Sequence, residues 1–181
     1  MPDLESTSEL NVLSEDPLCA GVFLPNLDVL VSSNEGHFVR SHFSAPQINS
    51  ADYSLPVTGD VNNALNLSYD DLLKMPSHEV VSLMECAGNS RSTMQPPAEG
   101  VQWDNGAVSV SRWKGVSVKT VLEQAGLKAL ATDVLFEGTD SGKDAHSGNQ
   151  LTYAMSVPLE KLLNEDTLLA YEMNGETLPK D

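Results

Sequence analysis

Positive charge is scarce in this sequence. Acidic residues outnumber basic ones 26 to 10, for a formal net charge of −16, and such a field repels nucleic acid and anionic membrane surfaces at long range. Neither is expected as a partner. Arginine is scarcer still, with only Arg40, Arg91 and Arg112 in the chain. If the substrate is a small anion, these few guanidinium groups must be gathered at its site, because the global field opposes its approach.

Cysteine is nearly as rare. Cys19 and Cys86 stand 67 positions apart, which makes no disulfide framework, and both are expected to be reduced. The opening Met1-Pro2-Asp3-Leu4-Glu5 lacks the positive segment and apolar core of a signal peptide. No run approaches the roughly 18 apolar residues of a membrane span. The chain as written is expected to be soluble and cytoplasmic, or periplasmic if an export signal has been removed.

Several common catalytic constellations are also missing. His37, His42, His78 and His146 are not spaced as a zinc set, and no cysteine pair accompanies them. There is no Gly-x-Ser-x-Gly elbow, and the scattered acids do not argue for a paired-carboxylate hydrolase. Gly138 to Asp144 faintly resembles a phosphate loop. It has one residue too few between its glycines, and Asp144 stands where Ser or Thr should meet magnesium.

A length of 181 residues with 40% hydrophobic content is enough for one domain with a real core, and no second domain is required. Residues 1–35 read as an extended lead-in over a domain spanning 36–181. Within the domain, Phe38 to Phe43 alternates as a strand or strand end, and Tyr53 to Gly59 is a short strand. Ser68 caps a short helix that Pro76 stops, and His78 to Glu85 is expected to be a buried strand. Ala107 to Ser111 is a strand. Ser117 to Ala125 is a helix with Val118, Val121, Leu122 and Ala125 on one face and Gly126 at its end. Asp133 to Glu137 and Leu151 to Val157 are strands separated by a polar loop from Gly138 to Gln150. Pro158 opens a short helix, and Asn174-Gly175 turns the strand Thr167 to Met173 into a hairpin. Strands and short helices alternate without a regular βαβ period, so the expected class is α+β with mixed sheets.

The informative stretch is Glu85-Cys86-Ala87-Gly88-Asn89-Ser90-Arg91. It carries a sulfur from the end of an apolar run into a loop of small polar residues. A cysteine at the end of a strand is more often a small buried hydrophobe than a ligand. A core cysteine does not, however, call for Gly88 and Asn89 directly after it, or for an arginine five positions on.

With Gly100-Val101-Gln102-Trp103, Gly106-Ala107-Val108-Ser109 and Trp113-Lys114-Gly115-Val116, this stretch resembles the molybdopterin-binding catalytic domain of the sulfite oxidase family. The resemblance takes in Phe38-Val39-Arg40-Ser41-His42 and Pro46 upstream, and Phe136 to Ser141, Tyr153 and Leu169 to Gly175 downstream. It implies an α+β fold of sulfite-oxidase type and an enzyme that oxidises sulfite to sulfate by oxo transfer at molybdenum held by molybdopterin. It implies Cys86 as the metal's protein ligand. By the same resemblance Phe38, Val39, Arg40, Ser41, His42 and Asp140 would contact the pterin, and Arg40, Arg91 and Trp103 would line the oxyanion pocket. Trp103 read alone could equally be core, and Asp140 a turn residue.

Family members continue past the equivalent of Asp181 into a His-Gly-x-Pro-x-Arg segment and a dimerisation domain, so this chain is expected to be a fragment or a truncated product. A homodimer is expected only of the complete protein. Electrons would leave to a separate acceptor such as a cytochrome. The rival reading is a catalytically silent family member serving as a binding module, or an enzyme acting on another sulfur compound, nitrate or a sulfoxide.

Overall fold

The computed structural model describes residues 10–24, 30–144 and 147–179. His146 lies outside them. In chain order the strands begin with β1 (Asn11–Glu15), β2 (Leu18–Gly21) and β3 (Val39–Arg40), followed by β4 (Ser54–Val57) and β5 (Leu65–Ser68). Helix α1 (Tyr69–Lys74) precedes β6 (Ser77–Glu85) and β7 (Val108–Ser117), and α2 (Val118–Ala125) precedes β8 (Asp133–Lys143) and β9 (Gln150–Pro158). Helix α3 (Leu159–Leu162), β10 (Leu168–Met173) and β11 (Glu176–Thr177) complete the order. Among the described residues four separate sheets, β1-β2-β3, β11-β10-β7-β6, β4-β5 and β8-β9, and three short α-helices make an α+β fold.

The chain divides into two compact units. The described residues of the first come from 10–45 and 81–112, with residue 179; the second is Pro46–Val80 with Trp113–Leu178. In the first unit β2 pairs antiparallel with both β1 and β3, with Cys19 opposite Arg40 and Ala20 opposite Val39. Its core holds Cys19, Val22, Phe38, Trp103 and Ala107, with Leu10, Leu13, Cys86 and Val101 packed against them. Residues 11–21 of the stretch read as lead-in are thus two strands of a sheet, and Cys19, Ala20 and Val22 are buried.

The second unit has two core clusters. Leu67, Leu72, Val116 and Val121 form one, and Val118, Leu122 and Leu162 the other. Helix α2 is the helix expected from its apolar spacing, with Val118, Val121, Leu122 and Ala125 buried and Gly126 in the left-handed region at φ 69°. Helix α1 is capped as expected. The Ser68 hydroxyl accepts from the Asp71 N–H while the Asp71 carboxylate accepts from the Ser68 N–H, a reciprocal capping box. Asn174 and Gly175, both at positive φ, turn β10 into β11 with Met173 opposite Glu176.

Three expectations need correction. Strand β6 is not buried: its side chains alternate between exposed and half-buried, and Val81, Leu83 and Met84 are all exposed. Apolar sequence reports a preference for cover, not its presence. The polar segment Gly138 to Lys143 is not a loop. Beyond an irregularity between Glu137 and Ser141 the ladder resumes, pairing Ser141 with Thr152 and Lys143 with Gln150, because backbone hydrogen bonds need no apolar side chains. The strand expected over Phe38 to Phe43 shrinks to Val39–Arg40, the residues in register with Ala20 and Cys19 of β2.

Candidate active site

Cys86 stands one residue beyond β6. Its N–H donates to the Ala107 carbonyl at 2.9 Å, and its own carbonyl accepts from the Asn89 N–H at 2.9 Å. The Gly88 N–H points at Cys86 Sγ from 3.4 Å. The thiol is half-buried on the edge of the first unit's core. Five residues suffice to turn the chain because Ser90 adopts a left-handed conformation at φ 65°. Its hydroxyl is anchored to Asn105 Oδ1 at 2.7 Å and its N–H to the Asp104 carbonyl at 2.6 Å.

This turn launches Arg91. The guanidinium donates to the Val101 carbonyl from Nη1 at 3.5 Å. It lies where only glycines leave room: a Cβ on Gly88 would sit 2.9 Å from Arg91 Nη2 and 3.1 Å from Trp103 Cδ1. A Cβ on Gly100, whose φ is +104°, would sit 2.1 Å from Nη1. Among the described residues Arg91 has no carboxylate partner. The half-buried guanidinium thus keeps a carbonyl partner but no counter-charge among the described residues, so its remaining N–H donors are not committed to a carboxylate.

The first unit holds all but one of the residues singled out from the sequence. Phe38, Cys86 and Trp103 share one cluster, with Phe38 and Trp103 edge to face at 6.4 Å. Trp103 is only 1% exposed, so its ring forms a wall beside the Arg91 slot. Val39 and Arg40 lie on β3, Arg40 exposed. Ser41 is tied down twice, its N–H donating to the Leu18 carbonyl at 3.0 Å and its carbonyl accepting from the Cys19 thiol at 3.7 Å. His42 is exposed, its ring edge-on to Phe43 at 4.5 Å. Asp140 belongs to the second unit, half-buried in the irregular part of β8.

Some supporting contacts could not be read from the sequence. Ser109 accepts the Phe38 N–H at 3.0 Å from 71 positions away, and no local pattern links the two. Cys19 was visible only as a lone cysteine. His37 stacks on Phe38 at 5.3 Å, and burial pulls its imidazole below the ordinary histidine range, partly opposed by a hydrogen bond to the Phe38 carbonyl.

Among the described residues no three His, Cys, Asp or Glu side chains gather to hold a metal by themselves. A metal beside Cys86 would need other ligands that arrive with it, so a cofactor bearing its own sulfur donors fits one thiol better than a bare ion does.

Fold and site together define a mixed α+β domain in which a half-buried cysteine and an arginine without a carboxylate partner among the described residues share one turn. The profile of the oxidoreductase molybdopterin binding domain matches residues 42–181, and the chain belongs to that family. It is 40% identical over 158 residues to mitochondrial sulfite oxidase of Rattus norvegicus, covering 83% of this chain and 28% of the relative. It is 31% identical to nitrate reductase [NADH] 1 of Phaseolus vulgaris, covering 97% of this chain and 21% of that protein. The sulfane dehydrogenase SoxCD from Paracoccus pantotrophus superimposes with a TM-score of 0.74 at 26% identity, over 98% of this chain and 42% of that one. The chain thus spans roughly a quarter of the length of the sulfite oxidase relative, as the 28% coverage shows.

Proposed function

We propose that this chain carries the cysteine-bearing part of a molybdenum-cofactor oxidoreductase that oxidises sulfite to sulfate. The observation that supports it most directly is the half-buried Cys86 thiol on the same short turn as an Arg91 guanidinium that lacks a carboxylate partner among the described residues. When bound, the molybdenum–pterin group supplies two-electron oxygen-atom transfer.

The protein's share is binding and orientation. Cys86 would be the single protein ligand to the metal, its sulfur held in direction by the Gly88 N–H. Arg91 would bind the oxygens of sulfite through its planar fork of donors, strongest where the slot excludes water. Buried Trp103 would wall the slot beside the fork, and exposed Arg40 would offer a second cation to the anion. Phe38, Val39, Ser41, His42 and Asp140 remain the proposed contacts to the pterin. Sulfite and one water yield sulfate, two protons and two electrons, and the electrons pass to a separate acceptor such as a cytochrome.

Protein purified from a host that makes the cofactor should contain molybdenum and pterin and should reduce an electron acceptor when sulfite is added. Cys86→Ser should abolish turnover and alter the molybdenum spectrum. Metal-free, inactive protein from such a host, or a fully active Cys86→Ser variant, would overturn the proposal. The bean relative makes nitrate the rival substrate: nitrate-dependent oxidation of a reduced dye without sulfite activity would replace sulfite by nitrate.

A further inference from the structure

We infer that Asn89 is a positioning residue for the Cys86 thiol, acting as a clamp across the base of the loop that presents it. The loop leaves β6 at Glu85 and returns towards β7 at Ala107. Cys86 and Ala107 begin a ladder pair there, the Cys86 N–H donating to the Ala107 carbonyl at 2.9 Å. The reciprocal acceptor is not a backbone group. The Ala107 N–H donates instead to Asn89 Oδ1 at 3.1 Å, so the side-chain amide stands in for a strand carbonyl.

The other end of the same amide reaches back across the loop. Asn89 Nδ2 donates to Glu85 Oε1 at 2.8 Å, and the Asn89 N–H donates to the Cys86 carbonyl at 2.9 Å. One residue therefore ties together the residue before the cysteine, the cysteine itself and the strand opposite. Ala107 is 0% exposed, so removing the amide leaves a buried N–H without an acceptor. The loop must then shift to satisfy it, and the thiol shifts with it. Neither Asp nor Leu can replace Asn here, because the position needs an acceptor on one side and a donor on the other.

The consequence for catalysis rests on the proposed function, but the clamp can be tested without it, on the metal-free chain, by the rate at which iodoacetamide alkylates Cys86. Cys19 is 1% exposed and reports unfolding: loop opening accelerates modification of one thiol, unfolding exposes two. Asn89→Ala should speed alkylation of one thiol about tenfold, the ratio implied by losing one buried hydrogen bond. Asn89→Asp, which keeps an acceptor for the Ala107 N–H but loses the exposed bond to Glu85, should speed it by a smaller factor of about threefold. In Asn89→Asp a carboxylate faces the carboxylate of Glu85. Adding Glu85→Gln exchanges donor and acceptor across the pair and should return the rate to within about twofold of the original, since the bond is restored.

Unchanged alkylation in both single variants would overturn the inference. So would modification of two thiols in Asn89→Asp, which would mark a role in global stability, or failure of the double variant to recover. Should Asn89→Ala not fold, the Asn89→Asp and double variants decide. Molybdenum content of the same proteins tests the functional reading separately: alkylation that follows these expectations in a chain that never takes up metal would keep the clamp and reject the oxidoreductase.

Discussion

At the scale of single residues, Arg91 depends on what its neighbours lack. Gly100 is the clearest case, because its φ of +104° strains any other residue and a Cβ there would meet Arg91 Nη1 at 2.1 Å. Gly100→Ala should cost about 1–3 kcal/mol in stability through backbone strain, read by thermal unfolding. The guanidinium is the flexible party and must yield, so KM for sulfite should also rise, about tenfold for one weakened charge-assisted hydrogen bond, with a smaller change in kcat. Unchanged KM in a folded variant would show that Arg91 does not meet the substrate. Cys86 read alone favoured a buried hydrophobe, and it was the resemblance of the surrounding motifs that made Cys86 and Arg91 candidates for the site. The slot was not legible in the sequence, since Gly88 and Gly100 come from different parts of the chain and nothing local announces that both face one side chain.

At the scale of elements, the short helices are set by local rules. Ser68→Ala should lower stability by about 1 kcal/mol, the usual value of an N-cap hydroxyl, measured by denaturant unfolding. Hydrogen bonds from Ser68 hold the Asp71 carboxyl below its ordinary value of 3.8. A group depressed in the folded state stabilises above its unfolded pKa and ceases to do so as pH falls through the folded one. The melting-temperature deficit of Asp71→Ala should therefore be full at neutral pH and shrink below about pH 3.8, the ordinary value. A deficit independent of pH would show that the carboxylate charge plays no part. Helix α2 and the Asn174-Gly175 turn were readable for the same reason: caps, left-handed positions and 3.6-residue spacing act over a few residues. Strand ends were less so. Strand β8 runs on through Gly138 to Lys143 because β9 supplies partners, whereas β3 ends at Arg40 after two register pairs with β2, with only the Ser41 N–H still reaching the Leu18 carbonyl.

At the scale of the molecule, the net charge of −16 sets how partners approach. A cationic electron acceptor should be drawn in by this field, and an anionic one repelled. Sulfite-dependent reduction of a cationic acceptor should accordingly slow as ionic strength rises and the Debye length shrinks towards about 8 Å near physiological salt. A rate indifferent to salt would mean that encounter is not steered by charge. An anionic substrate such as the proposed sulfite would meet the same opposing field, which is why a guanidinium without a carboxylate partner among the described residues would matter more here than in a basic protein.

The sequence by itself determined the local chemistry of this protein: a thiol followed by small polar residues and an arginine, the helix faces and caps, the hairpin turn and the α+β class. These depend on residue type and on interactions between near neighbours, which short spacing records. Only the tertiary structure decided that Phe38, Cys86 and Trp103 share a core, that Ser109 and Cys19 steady the β3 segment, that β6 presents its apolar residues outward, and that Asn89 closes the Cys86 loop onto Ala107. Those arrangements are hydrogen bonds and packing between residues tens of positions apart, and they exist only once the intervening chain has folded to bring them within a few ångströms.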